Sequence, residues 1–221
     1  MKKPHVFPHT SWAAKSLWSI ELKSLSVLLC ALTSIGFGEG LLLLSDLGSA
    51  PWTVLSQGVA TQGQFSVGWA SWMISLIVML AWFPLKLKPG LATVINIFVI
   101  AFVLGVTTYL LQKPTALYAR FAYAIVGILL FGIGTAFYLT CHQGSGPRDG
   151  LMVGLCQHFH WKIGIVRTSI EVLVCVFGFL LGGVLGIGTL MFAFGIGWVV
   201  QYTLFFISRV PYFRHKTDNL L

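Results

Sequence analysis

Long apolar runs, separated by short polar or basic segments, follow one another along the chain. Six runs contain the roughly 20 residues that a helix needs to cross about 30 Å of hydrocarbon. They predict membrane spans at 24–44, 67–86, 91–111, 120–140, 163–182 and 187–207. Two further apolar stretches, 52–62 and 150–160, are too short to cross. We predict that both are half-helices or re-entrant segments; the alternative is a pair of surface helices in ordinary loops.

The apolar pattern repeats at a spacing of 96 residues. At this spacing six glycines fall on glycines, whereas the glycine content alone gives about 1.5 such pairs. Ser49 also falls on Ser145, and Pro51 falls on Pro147. Two repeats, 24–111 and 112–207, therefore each contain three spans and one short segment.

Three is an odd number of spans, so the second repeat enters the membrane from the side opposite to the first. The predicted fold is an all-α membrane protein with six transmembrane helices in two inverted-topology repeats. Such repeats commonly place a transporter's binding site between the halves. Outside them we expect a cytosolic or interfacial N-terminal segment, 1–23, and a cytosolic tail, 208–221. Residues 9–22 predict an interfacial helix anchored by Trp12, Leu17 and Trp18; the alternative is a partly ordered tail.

Composition agrees with a membrane protein. Hydrophobic residues make up 57% of the chain and charged residues only 9%, with a mean hydropathy of +0.86. A soluble domain carries about 25% charged residues. The net charge of +8 does not indicate nucleic-acid binding, because the basic residues cluster at the ends of apolar runs. Four cysteines lack metal-site spacing and predict apolar packing: Cys30, Cys141, Cys156 and Cys175.

The basic residues also predict orientation, because cytoplasmic loops of membrane proteins are enriched in Lys and Arg. Placing both termini in the cytoplasm puts most of them inside, and Lys113 and Arg120 are the exceptions. The residues placed inside include Lys2, Lys3, Lys86, Lys88, Arg148, Lys162, Arg209, Arg214 and Lys216. We therefore expect a multi-pass protein of a bacterial inner membrane. Its partners are the lipid bilayer and a small solute, and a homodimer is compatible with its size.

The two short segments begin alike, with glycine and then proline, which suits a helix start. We predict that both N-termini face a central cavity, where their dipoles and Arg148 favour an anionic group such as a carboxylate or sulfonate. Arg148 and Asp149 align with neutral residues of the first repeat, which indicates a specialised site. The alternative roles are a positive-inside residue for Arg148 and a helix cap for Asp149. The predicted solute-binding residues are Ser49, Pro51, Trp52, Gln57, Ser145, Pro147, Arg148, Asp149, Arg167 and Glu171.

Ionisable residues inside spans are costly and are functional candidates by default. Glu39 lies in the first span, and Arg167 and Glu171 share one helix face in the fifth. We consider proton coupling at Glu39 or Glu171; the alternatives are a structural Arg167–Glu171 pair and snorkelling of Arg167.

His142, His158 and His160 have no carboxylate cluster beside them, so no metal site is expected. No cofactor is expected. The sequence contains no arrangement of a nucleophile and a base that would indicate an enzyme.

Several motifs resemble the YczE/YyaS/YitT-like bacterial membrane proteins over about 25–207. They are GSGPRDGLMVGL at 144–155, RTSIE at 167–171, LGG at 181–183 and GIGT at 186–189. GSAPW at 48–52 is similar to the family's first-half motif, in which an acidic residue often follows Trp; here it is Thr53. The resemblance implies a bacterial cytoplasmic-membrane protein. It also implies an association with pyridoxal-phosphate-dependent-type regulators and secondary metabolites, which suits solute movement.

Two functions therefore remain open. The first is a small transporter or channel for a polar or amphipathic, anionic metabolite bound between the inverted repeats. The alternative is an accessory membrane protein that supports maturation or assembly of another protein or biosynthetic system. The accessory function would need an exposed partner surface on the N-terminal segment or the C-terminal tail.

Overall fold

The computed structural model describes residues 10–209, and its regular elements within that range are all α-helices. Residues 1–9 and 210–221, including Lys2, Lys3, Arg214 and Lys216 of the predicted cytosolic ends, lie outside the described range. The helices are α1 (Leu22–Leu44), α2 (Pro51–Gly63), α3 (Val67–Leu80), α4 (Leu91–Leu110), α5 (Leu117–Leu139), α6 (Pro147–Phe159), α7 (Ile163–Leu180) and α8 (Ile187–Arg209).

The helix bounds repeat along the chain at the spacing found in the sequence. Helices α6, α7 and α8 each start 96 residues after α2, α3 and α4. Both short segments are helices of 13 residues with proline in the first turn. The loops before them share an unusual backbone conformation, because Gly48 and Gly144 have φ values of +110° and +108°.

The core of the molecule is an antiparallel crossing of α1 and α5. A Cβ on Gly38 would lie 2.6 Å from the carbonyl oxygen of Gly127, and one on Gly134 would lie 2.6 Å from that of Ala31. Between these two points, Ser34 Oγ donates to the Leu130 carbonyl at 2.9 Å. Glycine is required because any side chain would push the two backbones apart. Gly38 and Gly134 therefore allow the close packing of α1 against α5.

Each half of the chain also packs its loop against the other half. A Cβ on Gly48 would lie 2.6 Å from the amide nitrogen of Gly186, at the start of α8. A Cβ on Gly144 would lie 3.0 Å from the Cα of Gly90, at the start of α4. These contacts are equivalent at the 96-residue spacing, and the positive φ at both loop glycines favours glycine there. The loops that lead into α2 and α6 are therefore fixed by the opposite half.

Four helices, α1, α4, α5 and α8, are long and apolar enough to cross a membrane, and α2 and α3 form a pair bent by 113°. The predicted span at 67–86 is wrong as one helix, because α3 has 14 residues and is only about 21 Å long. The chain turns after Leu80, and Trp82 is buried with its indole N–H bonded to the Pro147 carbonyl at 3.0 Å. Pro84 follows and cannot donate a helical hydrogen bond. The segment predicted as a span at 163–182 contains α7, which has 18 residues and is not one of these four helices.

The interfacial helix predicted at 9–22 is also wrong for residues 10–21, and residue 9 lies outside the described range. These residues form turns that pack against the end of α5 and the start of α4. The Ala14 amide donates to the Cys141 carbonyl at 3.0 Å, and the Leu91 amide donates to the Leu17 carbonyl at 2.8 Å. The segment therefore forms short turns that are fixed by hydrogen bonds to these loops.

All four cysteines are free thiols. Cys141 is buried, as predicted for an apolar packing residue, and Cys156 and Cys175 are half-buried. Cys30 is exposed on the surface of α1, so the packing prediction is wrong for that residue. On an apolar spanning helix, an exposed position faces lipid, where a thiol is tolerated as a small apolar group.

Candidate functional site

Side chains from the first turns of α2 and α6 are in contact. Pro51 and Pro147 open the two helices and are both buried. One residue further along, the guanidinium carbon of Arg148 lies 5.4 Å from the centroid of the Trp52 ring, close enough for a cation–π contact. Trp52 and Arg148 are equivalent positions at the 96-residue spacing. Because helix N-termini carry partial positive charge, the first turn of each of these helices favours an anion.

Arg148 also forms an ion pair with Glu39 from the first half. Its Nη1 lies 3.2 Å from Glu39 Oε1, and its Nη2 donates to Ser71 Oγ at 3.1 Å. The Glu39 side chain is 1% exposed and that of Arg148 is 20% exposed. Helices α1, α3 and α6 thus contribute one side chain each. Glu39 and Arg148 are 109 residues apart in the sequence. Glu39, predicted to lie within a span, is deeply buried there.

Two buried oxygen atoms close to this cluster, one on α1 and one in the first turn of α2, form no hydrogen bond with the described residues. Glu39 Oε2 and Thr53 Oγ1 have no hydrogen-bond partner among the described residues. An unpaired buried polar atom costs about 1–3 kcal/mol, so such atoms call for a proton, a water or a ligand. Both belong to residues on or next to the cluster of Arg148, Glu39 and Trp52.

The start of α6 is held by side chains from the first half and from α5. Trp82 donates to the Pro147 carbonyl, and Thr93 Oγ1 donates to the Ser145 carbonyl at 2.7 Å. The Tyr138 hydroxyl accepts a hydrogen bond from the Gly146 amide. Sequence reasoning assigned none of Trp82, Thr93 and Tyr138 to the site. Their signal is weak, because each acts on backbone atoms and none carries charge.

Three charged residues form an open surface beside this cluster, which we call the charged face: Asp149, Arg167 and Glu171. Arg167 Nε lies 3.0 Å from Glu171 Oε1, and the two side chains are 54% and 32% exposed. Asp149 is exposed and interacts electrostatically with Arg167 and Arg148. The predicted Arg167–Glu171 pair is therefore present, and Asp149 connects it to Arg148. Gly146, rather than Asp149, is the N-cap of α6.

The equivalent positions of the first half are neutral and closed to solvent. This neutral face consists of Thr53, Ser71 and Ser75, which are 1%, 1% and 6% exposed. On its side of the molecule, α2 packs tightly on α7, since a Cβ on Gly178 would lie 2.5 Å from the Leu55 amide nitrogen. The charged face is therefore exposed, whereas the neutral face is buried.

The remaining predicted site residues have structural contacts. Gln57 Oε1 accepts a hydrogen bond from the Val184 amide at 2.9 Å and connects α2 to the loop after α7. Ser49 is buried in the segment leading into α2, next to the contact of Gly48 with α8. Among the described residues, no group of three or more His, Cys, Asp or Glu side chains could bind a metal ion.

A family model for a family of unknown function, DUF6198, matches residues 22–204. The chain belongs to the DUF6198 family. A protein of Haemophilus influenzae is 58% identical over 215 residues, covering 97% of this chain and 99% of that protein. The match therefore includes the helices that form the site.

Two more distant relatives come from Bacillus subtilis. The uncharacterized membrane protein YczE is 24% identical over 172 residues, covering 77% of this chain and 80% of YczE. YyaS is 27% identical over 161 residues, covering 71% of this chain and 80% of YyaS. The resemblance inferred from the motifs is confirmed, and this DUF6198 chain is a membrane protein. No solved structure matches it.

Proposed function

We propose that the protein is a small transporter or channel for a polar or amphipathic anionic metabolite, bound where α2 and α6 begin. The observation that carries this proposal is the position of Arg148. Its guanidinium, in the first turn of α6, contacts Trp52 in the first turn of α2 and lies next to an exposed charged face. Charged side chains at membrane depth typically line substrate pathways. The proposal involves neither an enzymatic reaction nor a cofactor.

An inverted-topology repeat explains why the two short helices meet. If α1 and α5 cross the membrane in opposite directions, the loops after them return from opposite sides, and α2 and α6 start near the middle. The antiparallel crossing at Gly38 and Gly134 and the reciprocal loop contacts support this arrangement. Non-helical backbone at that depth is tolerated where protein or a water-lined cavity satisfies it. A solute site between the halves follows from the same geometry.

The proposed orientation keeps both termini in the cytoplasm of a bacterial cell, with the protein in the inner membrane. The two basic residues that violate this orientation have a structural explanation. Arg120 Nε donates to the Ser45 carbonyl at 2.8 Å, and both Arg120 and Lys113 pair with Asp46. Arg120 thereby provides a hydrogen-bond donor to the Ser45 carbonyl at the end of α1. In this orientation the charged face opens toward the cytoplasm.

Arg148 has more N–H donors than its contacts within residues 10–209 use. A guanidinium carries five N–H groups. Within residues 10–209, one donates to Glu39 and one to Ser71. The others, together with the first amides of α2 and α6, supply donors for a carboxylate or sulfonate. Trp52 provides an apolar wall for the rest of an amphipathic solute.

The test compares an anion with a neutral molecule of the same shape. Thermal unfolding of the purified protein in detergent is measured with methanesulfonate and with methanesulfonamide. We expect only the sulfonate to stabilise the protein, by about 2.7 kcal/mol at 100 times its dissociation constant. Arg148→Gln should abolish the effect, whereas Arg209→Gln, which removes the same charge at the end of α8, should preserve it. Uptake of labelled sulfonate into liposomes then distinguishes transport from binding alone.

Equal stabilisation by both molecules, or an equal loss in the two arginine variants, would contradict an anion site at Arg148. Binding without flux into liposomes would contradict transport but keep the site.

A further inference from the structure

Glu39 lies in one of the most tightly packed parts of the fold. Its neighbours along α1 are both glycines, and both are in contact with another helix. A Cβ on Gly38 would clash with α5, and one on Gly40 would lie 2.7 Å from the Thr107 Cβ on α4. Glu39 therefore lies where α1 packs against both α4 and α5, and its side chain is 1% exposed. A buried carboxylate is stable in its ionised form only while a cation compensates for its lost hydration.

Arg148 is that cation, and its contact with Glu39 involves a single oxygen. Nη1 contacts Oε1, whereas Oε2 has no partner among the described residues. A bidentate pair would occupy both carboxylate oxygens and would be stronger. The two partners also differ in access, because Glu39 is 1% exposed and Arg148 is 20% exposed. Another anion can therefore reach Arg148 from the charged face, while Glu39 cannot follow Arg148 out of the core.

We infer that binding of a solute anion to Arg148 is coupled to uptake of one proton by Glu39. This inference rests on the proposed function and adds the coupling ion to it. The arriving anion takes over the guanidinium of Arg148, which leaves the Glu39 carboxylate without a compensating cation. Glu39 then accepts a proton from water at the charged face and becomes a neutral carboxylic acid. One negative and one positive charge arrive together, so the net charge of the site does not change.

Other titratable groups around Glu39 are few. Helix α4 contains only Tyr109, and α5 contains Tyr118, Tyr123, Tyr138 and Arg120. Arg120 is engaged at the far end of α1 with Ser45 and Asp46. On the second half, Arg148 faces Glu39 directly, and Asp149 is the adjacent carboxyl, with Arg167 and Glu171 behind it. Asp149 is therefore the main competing proton acceptor, and the test must separate it from Glu39.

The experiment measures the affinity for methanesulfonate between about pH 5 and pH 8, a range in which the sulfonate itself stays ionised. In the wild type, affinity should fall as the pH rises, by up to about tenfold per pH unit, the limit for one proton taken up per anion. Glu39→Gln should bind the anion with an affinity that does not depend on pH. Asp149→Asn should change the affinity at every pH but keep the wild-type slope.

A second measurement on the wild type covers the case in which Glu39→Gln does not fold. Methanesulfonate added to the weakly buffered protein should raise the pH by an amount equal to about one proton per bound anion. Binding that is independent of pH, or a slope that survives in Glu39→Gln and disappears in Asp149→Asn, would overturn the coupling alone. Absence of sulfonate binding at every pH would overturn the proposed function together with the coupling.

Discussion

Trp12 and Trp18 lie six residues apart and have opposite environments. Trp12 is 5% exposed, its indole N–H donates to Thr140 Oγ1 at 3.1 Å, and its ring stacks on Phe137 with centroids 5.7 Å apart. Trp18 is 56% exposed. The first tryptophan thus fixes the N-terminal segment to the end of α5, and only the second is available to the membrane interface.

This difference predicts unequal effects of truncation. Trp12→Ala should lower the free energy of unfolding by about 3–5 kcal/mol, because it removes a buried aromatic ring and a hydrogen bond. Trp18→Ala should change it by less than about 1 kcal/mol. Unfolding of the purified variants by SDS, followed by tryptophan fluorescence, measures both. Similar losses in the two variants would show that residues 10–21 do not pack as described.

The charged residues of the site could be identified from the sequence, but the partner of Arg148 could not. Glu39, Arg148, Arg167 and Glu171 stand out because charge is rare in apolar segments, and Arg167 and Glu171 pair as their i,i+4 spacing predicts. The Arg148–Glu39 pair spans 109 residues and depends on the return of the chain after α5. No local spacing encodes that return, so Arg148 was predicted as a free cation rather than as half of an ion pair.

At the level of helices, the glycine repeat identifies the closest contacts. Gly38 and Gly134 allow the backbones of α1 and α5 to touch, whereas Gly197 on α8 has no heavy atom within 4 Å of the position of a Cβ. All three are glycines within apolar helices, but only Gly38 and Gly134 fall on each other at the 96-residue spacing. Their different surroundings make them matched probes of the crossing.

A single added methyl group should therefore have opposite effects at these positions. Gly38→Ala and Gly134→Ala should each cost about 1–3 kcal/mol, because the new Cβ meets backbone that cannot move aside. Gly197→Ala should leave the protein unchanged or stabilise it by up to about 1 kcal/mol, the difference in helix propensity. The midpoint of thermal unfolding in detergent measures each effect. Destabilisation by Gly197→Ala as large as that by Gly38→Ala would argue against α1–α5 as the core contact.

The repeat spacing predicted the starts of the helices well and the length of α3 badly. Glycine and proline positions fix where α2, α6 and α8 begin, and the structure has them at the expected spacing. The apolar run at 67–86 continues past the end of α3, because it includes Trp82, which is buried and donates a hydrogen bond to the Pro147 carbonyl. Hydropathy does not distinguish a residue that faces lipid from one that is buried against another helix.

For the whole molecule, the packing of residues 10–21 changes how an accessory function can be tested. Deleting the N-terminal segment would remove Trp12 and its bonds to the end of α5, and so would destabilise a transporter and an accessory protein alike. Flux into liposomes containing only the purified chain is the better criterion, because an accessory protein would not transport a solute without its partner.

The two halves also differ in access to solvent, and this difference predicts the sidedness of the structure. Glu171 on the charged face and Ser75 on the neutral face are equivalent positions, but Glu171 is 32% exposed and Ser75 is 6% exposed. A cysteine at 171 should react rapidly with a membrane-impermeant maleimide from the cytoplasmic side. A cysteine at 75 should react slowly from both sides while no solute is bound.

Both variants are made in a background without Cys30, Cys156 and Cys175. Cys141 can stay, because burial raises the pKa of its thiol to about 12 and keeps it unreactive. Since alternating access exchanges the conformations of the two repeats, saturating methanesulfonate should increase labelling at 75 from the outside and decrease it at 171. Equal labelling of the two positions without solute would contradict the one-sided opening. Labelling that never responds to a bound solute would favour a static channel over a transporter.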